Sequence, residues 1–93
     1  MTDQVDSAYY AGLEKRTAAL VHAFDQSFST EQLALPLELA EHNEFGVAVE
    51  MLSSMLVEKA VPVTRQLRDE FKDLVDVMQL DAGVWRDLTP ASE

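Results

Sequence analysis

Residues 64–80 read TRQLRDEFKDLVDVMQL, and the apolar side chains in them return at Leu67, Phe71, Leu74, Val75 and Met78. That spacing has a period near 3.6, which places them on one face of a helix. Arg65, Arg68, Asp69, Lys72, Asp73 and Asp76 take the rest of its circumference. A helix with a single apolar stripe must bury it against other elements, so this run sets the terms for the whole chain. Thr64 is placed to cap its start, and Leu80 ends it.

The rest of the chain answers with more helices. Only 3 Gly and 3 Pro interrupt 93 residues. A first helix is expected from Asp6 to Gln26, with Tyr9, Leu13, Leu20, Phe24 and Phe28 as its stripe and Tyr10, Thr17 and Val21 beside it. Asp6 or Ser7 can accept from its free N–H groups. Residues 27–30 read as a loop, with Ser29 or Thr30 as the next cap. In LALPLEL, leucines at 33, 35, 37 and 39 alternate as in a strand, but Pro36 cannot donate to a ladder. It is also costly within a helix. A short turn over Glu31–Leu35, with a helix restarting at Pro36, reconciles the two. The third helix is expected over Glu44–Lys59, with Phe45, Ala48, Val49, Leu52, Met55 and Leu56 inward and Val47 and Met51 widening the stripe. Ser53 and Ser54 fall on its polar side. Asn43 suits the preceding turn, since it tolerates the left-handed conformation. Pro62 closes the third helix, because the residue before a proline avoids the α region. Asp81 can cap a last short turn that brings Val84, Trp85 and Leu88 inward, and TPASE reads as a frayed tail. The expected fold is a small all-α helical bundle of four main helices plus a short C-terminal helical turn. It forms one domain over residues 1–93 with an ordered core from about 6 to 88. A chain of this length buries roughly 60–65% of its surface on folding, enough for one modest core.

Composition narrows the function. Seventeen acids face 7 bases, for a net charge of −10, and no Lys or Arg stands between Arg16 and Lys59. Such a field repels nucleic acid and anionic lipid and attracts a basic protein. The plainer reading is a solvated face that keeps the chain soluble. The chain has no cysteine, so disulfides and thiolate metal sites are excluded, which fits a cytoplasmic setting. The first residues lack the pattern of a signal peptide, and no apolar run approaches the ~18 residues of a membrane span.

Chemistry finds little support. Glu38 and His42 stand at i, i+4 with Glu41 adjacent, but the Glu-x-x-His of di-iron bundles is missing, since Leu39 precedes His42 by three. Ala19 stands in the same place before His22, which reads as a partly buried helix-face residue. No pair of histidines has the spacing of a zinc protease, and no serine sits in a glycine elbow. The Asp-Ser-Leu attachment site of acyl carrier proteins is absent too. The expectation is a non-enzyme without cofactor or metal. What remains is recognition by surface, for which Tyr9, Tyr10 and Trp85 are the candidate anchors.

The run EHNEFGVAVEML, followed by VEKAVPVTRQLRDEFKDLVDVMQLD, resembles the MafI-like and contact-dependent inhibition (CdiI-type) immunity proteins, small helical partners of polymorphic and contact-dependent bacterial toxins. The resemblance rests on the acidic–apolar–Gly–apolar–Ala–apolar–Glu run of Glu44–Glu50, the turn of Val61–Thr64 and the helix ending in Leu80 and Asp81. It covers about residues 37–81. It implies a non-catalytic cytoplasmic protein that binds and neutralises one cognate toxin domain. Many such toxins are nucleases, whose active sites are basic in order to hold a phosphate backbone. The expected partner-binding set is Glu38, Glu41, His42, Glu44 and Glu50, with Asp69, Asp73 and Asp76 second. The alternative is an acidic helical adaptor or regulatory subunit of a larger assembly. Neither reading involves nucleic acid or membrane as a partner.

Overall fold

The computed structural model describes residues 2–92, with side chains from Ala8 onward. It is all-α: α1 (Thr2–His22), α2 (Thr30–Glu41), α3 (Phe45–Glu58), α4 (Arg65–Met78) and the short α5 (Gly83–Arg86). Four main helices and one C-terminal helical turn follow the expected pattern, and the described residues contain no strand. No helix among them is long and apolar enough to cross a membrane. The chain forms two compact units, Met1–Ala48 and Val49–Glu93.

In the first unit, α1 packs on α2. Leu13, Thr17, Leu20, Val21 and Phe24 are buried, as expected, and Phe28 is buried in the connection that follows. α1 starts and stops about four residues earlier than the periodicity suggested. The side chains of Asp6 and Ser7, expected to cap it, lie outside the described residues. Tyr9 is 49% exposed and Tyr10 47%, so neither is core. A tyrosine keeps its hydroxyl in water at little cost while its ring leans on neighbours. Here the Tyr10 ring stands 5.7 Å from that of Tyr9 and 6.2 Å from that of Phe45.

α2 corrects the reading of LALPLEL. It is one continuous helix with Pro36 inside it. Ser29 and Gln32 form a reciprocal capping box: the Gln32 N–H donates to Ser29 Oγ at 3.1 Å, and the Ser29 N–H donates to Gln32 Oε1 at 2.8 Å. That cap starts the helix at Thr30, before the proline. Pro36 then forfeits one backbone bond, to the carbonyl of Gln32, an exposed residue whose oxygen water can serve. The proline ring itself is buried with Leu33 and Ala40.

Three helices end the same way, on a left-handed residue that is not glycine: Asn43 (φ 63°), Ala60 (φ 51°) and Gln79 (φ 57°). After α2, the Asn43 N–H donates to Ala40 O and the Glu44 N–H to Leu39 O, the paired bonds of a Schellman motif. After α3, Ala60 and Val61 repeat the pattern onto Val57 O and Leu56 O. After α4, the Leu80 N–H reaches Val75 O. Asn43 makes its turn as the sequence suggested.

In the second unit, α4 packs on α5. Thr64 caps α4 by accepting from the Leu67 N–H at 3.2 Å. Phe71, Leu74 and Val75 are buried, along with Val49, Leu52 and Leu56 of α3. Met51 and Met55 are half-buried, whereas Val47, at the start of α3, is exposed rather than part of the stripe. Ser53 reverses the expectation of a solvated serine. It is 5% exposed, and its hydroxyl donates to the carbonyl of Val84 at 2.6 Å. Asp81 does serve the start of α5, accepting from the Gly83 N–H at 2.9 Å. The tail is not frayed through residue 91. The Val63 N–H donates to Thr89 O at 2.8 Å and the Ala91 N–H to Val63 O at 3.0 Å, an isolated parallel bridge between Val63 and Pro90.

Candidate partner-binding surface

All eight residues singled out from the sequence are exposed: Glu38, Glu41, His42, Glu44, Glu50, Asp69, Asp73 and Asp76. The structure sorts them into three places. Glu38 and Glu41 stand on the last turns of α2, His42 is its C-terminal cap, and Glu44 follows the left-handed Asn43. The Schellman bonds fix this corner, so the three carboxylates and the imidazole project from a rigid turn and not from a loose loop. The His42 N–H is spent on the carbonyls of Glu38 and Leu39, which leaves its ring the free part.

Asp69, Asp73 and Asp76 lie at i, i+4 and i+7 on α4, a single polar face opposite the buried Phe71, Leu74 and Val75.

Glu50 belongs elsewhere. It lines an open cavity of about 340 Å³ in the second unit together with Glu58 of α3 and with Asp81 and Asp87, which flank α5. Four carboxylates share that lining with no base among them. Its floor is held by the Ser53–Val84 hydrogen bond and by Asp81 on the Gly83 N–H. Glu58, Asp81 and Asp87 were missed by sequence reasoning. Their convergence depends on α5 returning to α3, and nothing in their spacing along the chain reports that.

His22 was expected to be partly buried. It is 57% exposed instead, with Nδ1 at 3.3 Å from Asp25 Oδ1. The pair borders a second hollow of about 300 Å³ lined by Phe28, Thr30, Leu33 and Leu37. Among the described residues no group of three or more His, Asp and Glu side chains is arranged to hold a metal ion.

Compared with family models, curated proteins and solved structures, the chain has no match.

Proposed function

We propose that this chain is an immunity protein that binds one bacterial toxin domain in the cytoplasm and neutralises it. Its acidic surface covers a basic active site, most simply that of a nuclease. The observation that carries the reading is the cavity of Glu50, Glu58, Asp81 and Asp87: four carboxylates, no compensating base, and ample room for a guanidinium or ammonium group. The rigid acidic corner at Glu38, Glu41, His42 and Glu44 supports it, as does the local sequence resemblance over residues 37–81. An acidic surface of this kind steers a basic partner and can raise its association rate 10–10³-fold. Occupying the cationic groups that hold a phosphate backbone is sufficient to stop a nuclease, with no chemistry required of the inhibitor.

The test is co-expression with the toxin gene expected beside this one. Cells should survive with this protein and die without it, and the two chains should purify together. Glu41→Lys with Glu44→Lys, and separately Glu50→Lys with Glu58→Lys, should each weaken the complex at least tenfold and flatten its salt dependence. Survival without this protein, or no complex, overturns the proposal and leaves the helical adaptor as the reading to pursue. Unchanged affinity in both double variants removes these surfaces from the interface.

A further inference from the structure

The second unit also carries a surface of the opposite sign. Arg68 Cζ lies 6.0 Å from the centroid of the Trp85 ring, Lys72 Nζ 5.7 Å and Arg86 Cζ 5.5 Å. Three of the chain's 7 bases thus gather on its single tryptophan, in a protein of net charge −10. Arg68 and Lys72 are one turn apart on α4, and Arg86 ends α5. Lys72 and Arg86 are exposed, and Arg68 and Trp85 are half-buried. With 17 acids available, pairing would be easy, yet among the described residues none of the three cations forms an ion pair with a carboxylate.

We propose that the Arg68–Lys72–Arg86 cluster on Trp85 is a docking surface for a carboxylate-bearing segment of a protein partner. The indole face attracts each cation through its quadrupole and so collects them, but it neutralises none. Each charge lies within 6.0 Å of one ring, so any two are at most about 12 Å apart, near the Debye length of about 8–10 Å, and their repulsion is only partly screened. An Asp or Glu side chain entering between them relieves that repulsion and accepts charge-assisted hydrogen bonds, in forked geometry from the two guanidinium groups. Tryptophan and arginine are also the residues that most often anchor protein interfaces.

The surroundings select a carboxylate over a polyanion. Each cation is followed in the chain by an aspartate: Asp69 after Arg68, Asp73 after Lys72 and Asp87 after Arg86. A nucleic acid laid on the cluster would bring many phosphates to a chain of net charge −10, whereas one or two carboxylates call on the three cations alone. At about 0.1 M salt the remoter acids are screened, so the cluster acts on what touches it. The inference stands apart from the toxin reading, since it concerns a different surface and the opposite charge.

Trp85 is the only tryptophan, so its emission reports on this site alone. The experiment titrates the full chain at about 0.1 M salt with three probes: an Asp/Glu-rich peptide, an oligothymidylate of equal charge and inorganic phosphate. The acidic peptide should shift the Trp85 emission saturably. The triple variant Arg68→Gln, Lys72→Gln, Arg86→Gln, checked for its helical circular dichroism, should weaken that response at least tenfold. The variant Arg68→Lys, Arg86→Lys keeps the charge and loses the forked geometry, so its response should fall between those of the native chain and the triple variant. An equal or stronger response to the oligonucleotide or to phosphate overturns the choice of a carboxylate partner. No saturable response to the peptide, or one unaltered in the triple variant, overturns the site.

Discussion

Ser53 Oγ donates to the carbonyl oxygen of Val84 at 2.6 Å, joining α3 to α5 across 31 positions of sequence. Ser53 is almost fully buried and Val84 half-buried, so the bond is partly shielded from water at the edge of the acidic cavity. Ser53→Ala should therefore lower stability by about 0.5–1.5 kcal/mol, the net worth of one partly shielded hydrogen bond. Urea unfolding measures this. A change within about 0.3 kcal/mol would show that the hydroxyl is dispensable.

Thr17 is the contrary case. It is fully buried in α1, and its Oγ1 has no hydrogen-bond partner. Thr17→Val keeps the shape and removes the stranded hydroxyl, so stability should hold or rise by about 1 kcal/mol. A clear loss on thermal unfolding would mean that the hydroxyl is served after all.

Gly12 lies in the middle of α1, and a Cβ placed there meets nothing within 4 Å. Gly12→Ala should stabilise by about 0.8–1 kcal/mol from helix propensity alone, with no new contact. The gain should appear as a higher urea midpoint with an unchanged slope.

At Ala60 the sign reverses. Its φ of 51° is a left-handed conformation that costs an L-residue about 1–2 kcal/mol, and the position is exposed. Ala60→Gly relieves that strain and should raise stability by about 0.5–1 kcal/mol, net of the chain entropy glycine brings to the unfolded state. Measured together, the Gly12 and Ala60 variants should be additive, since they lie in different units with no shared partner.

Periodicity carried most of the fold. Phe71, Leu74 and Val75 recur as a helix requires and are buried, and Thr64, Ser29 and Asn43 do what their chemistry at helix ends suggests. The failures are places where a distant partner decides. Pro36 looked like a boundary because its own preference is local, whereas the capping box of Ser29 and Gln32, seven and four residues earlier, had already committed the helix. Ser53 looked solvated because Val84, 31 residues on, is invisible to a helical wheel. The candidate surface divides in the same way. The corner at Glu38–Glu44 is contiguous in sequence and could be read there, but the cavity of Glu50, Glu58, Asp81 and Asp87, and the cations on Trp85, are assembled by α5 returning to α3 and α4.

The main-chain bridge at Val63 has a consequence for association. Residues 63 and 89–91 are tied by two backbone bonds, so α4, the carboxylates of Asp81 and Asp87, and Trp85 with its cations all lie on a closed loop. The backbone that carries Asp81, Asp87 and the cations on Trp85 is therefore preorganised. A partner meets a main chain that is already in place, so the ordering entropy lost on contact is that of side chains, and the complex should form with little backbone movement.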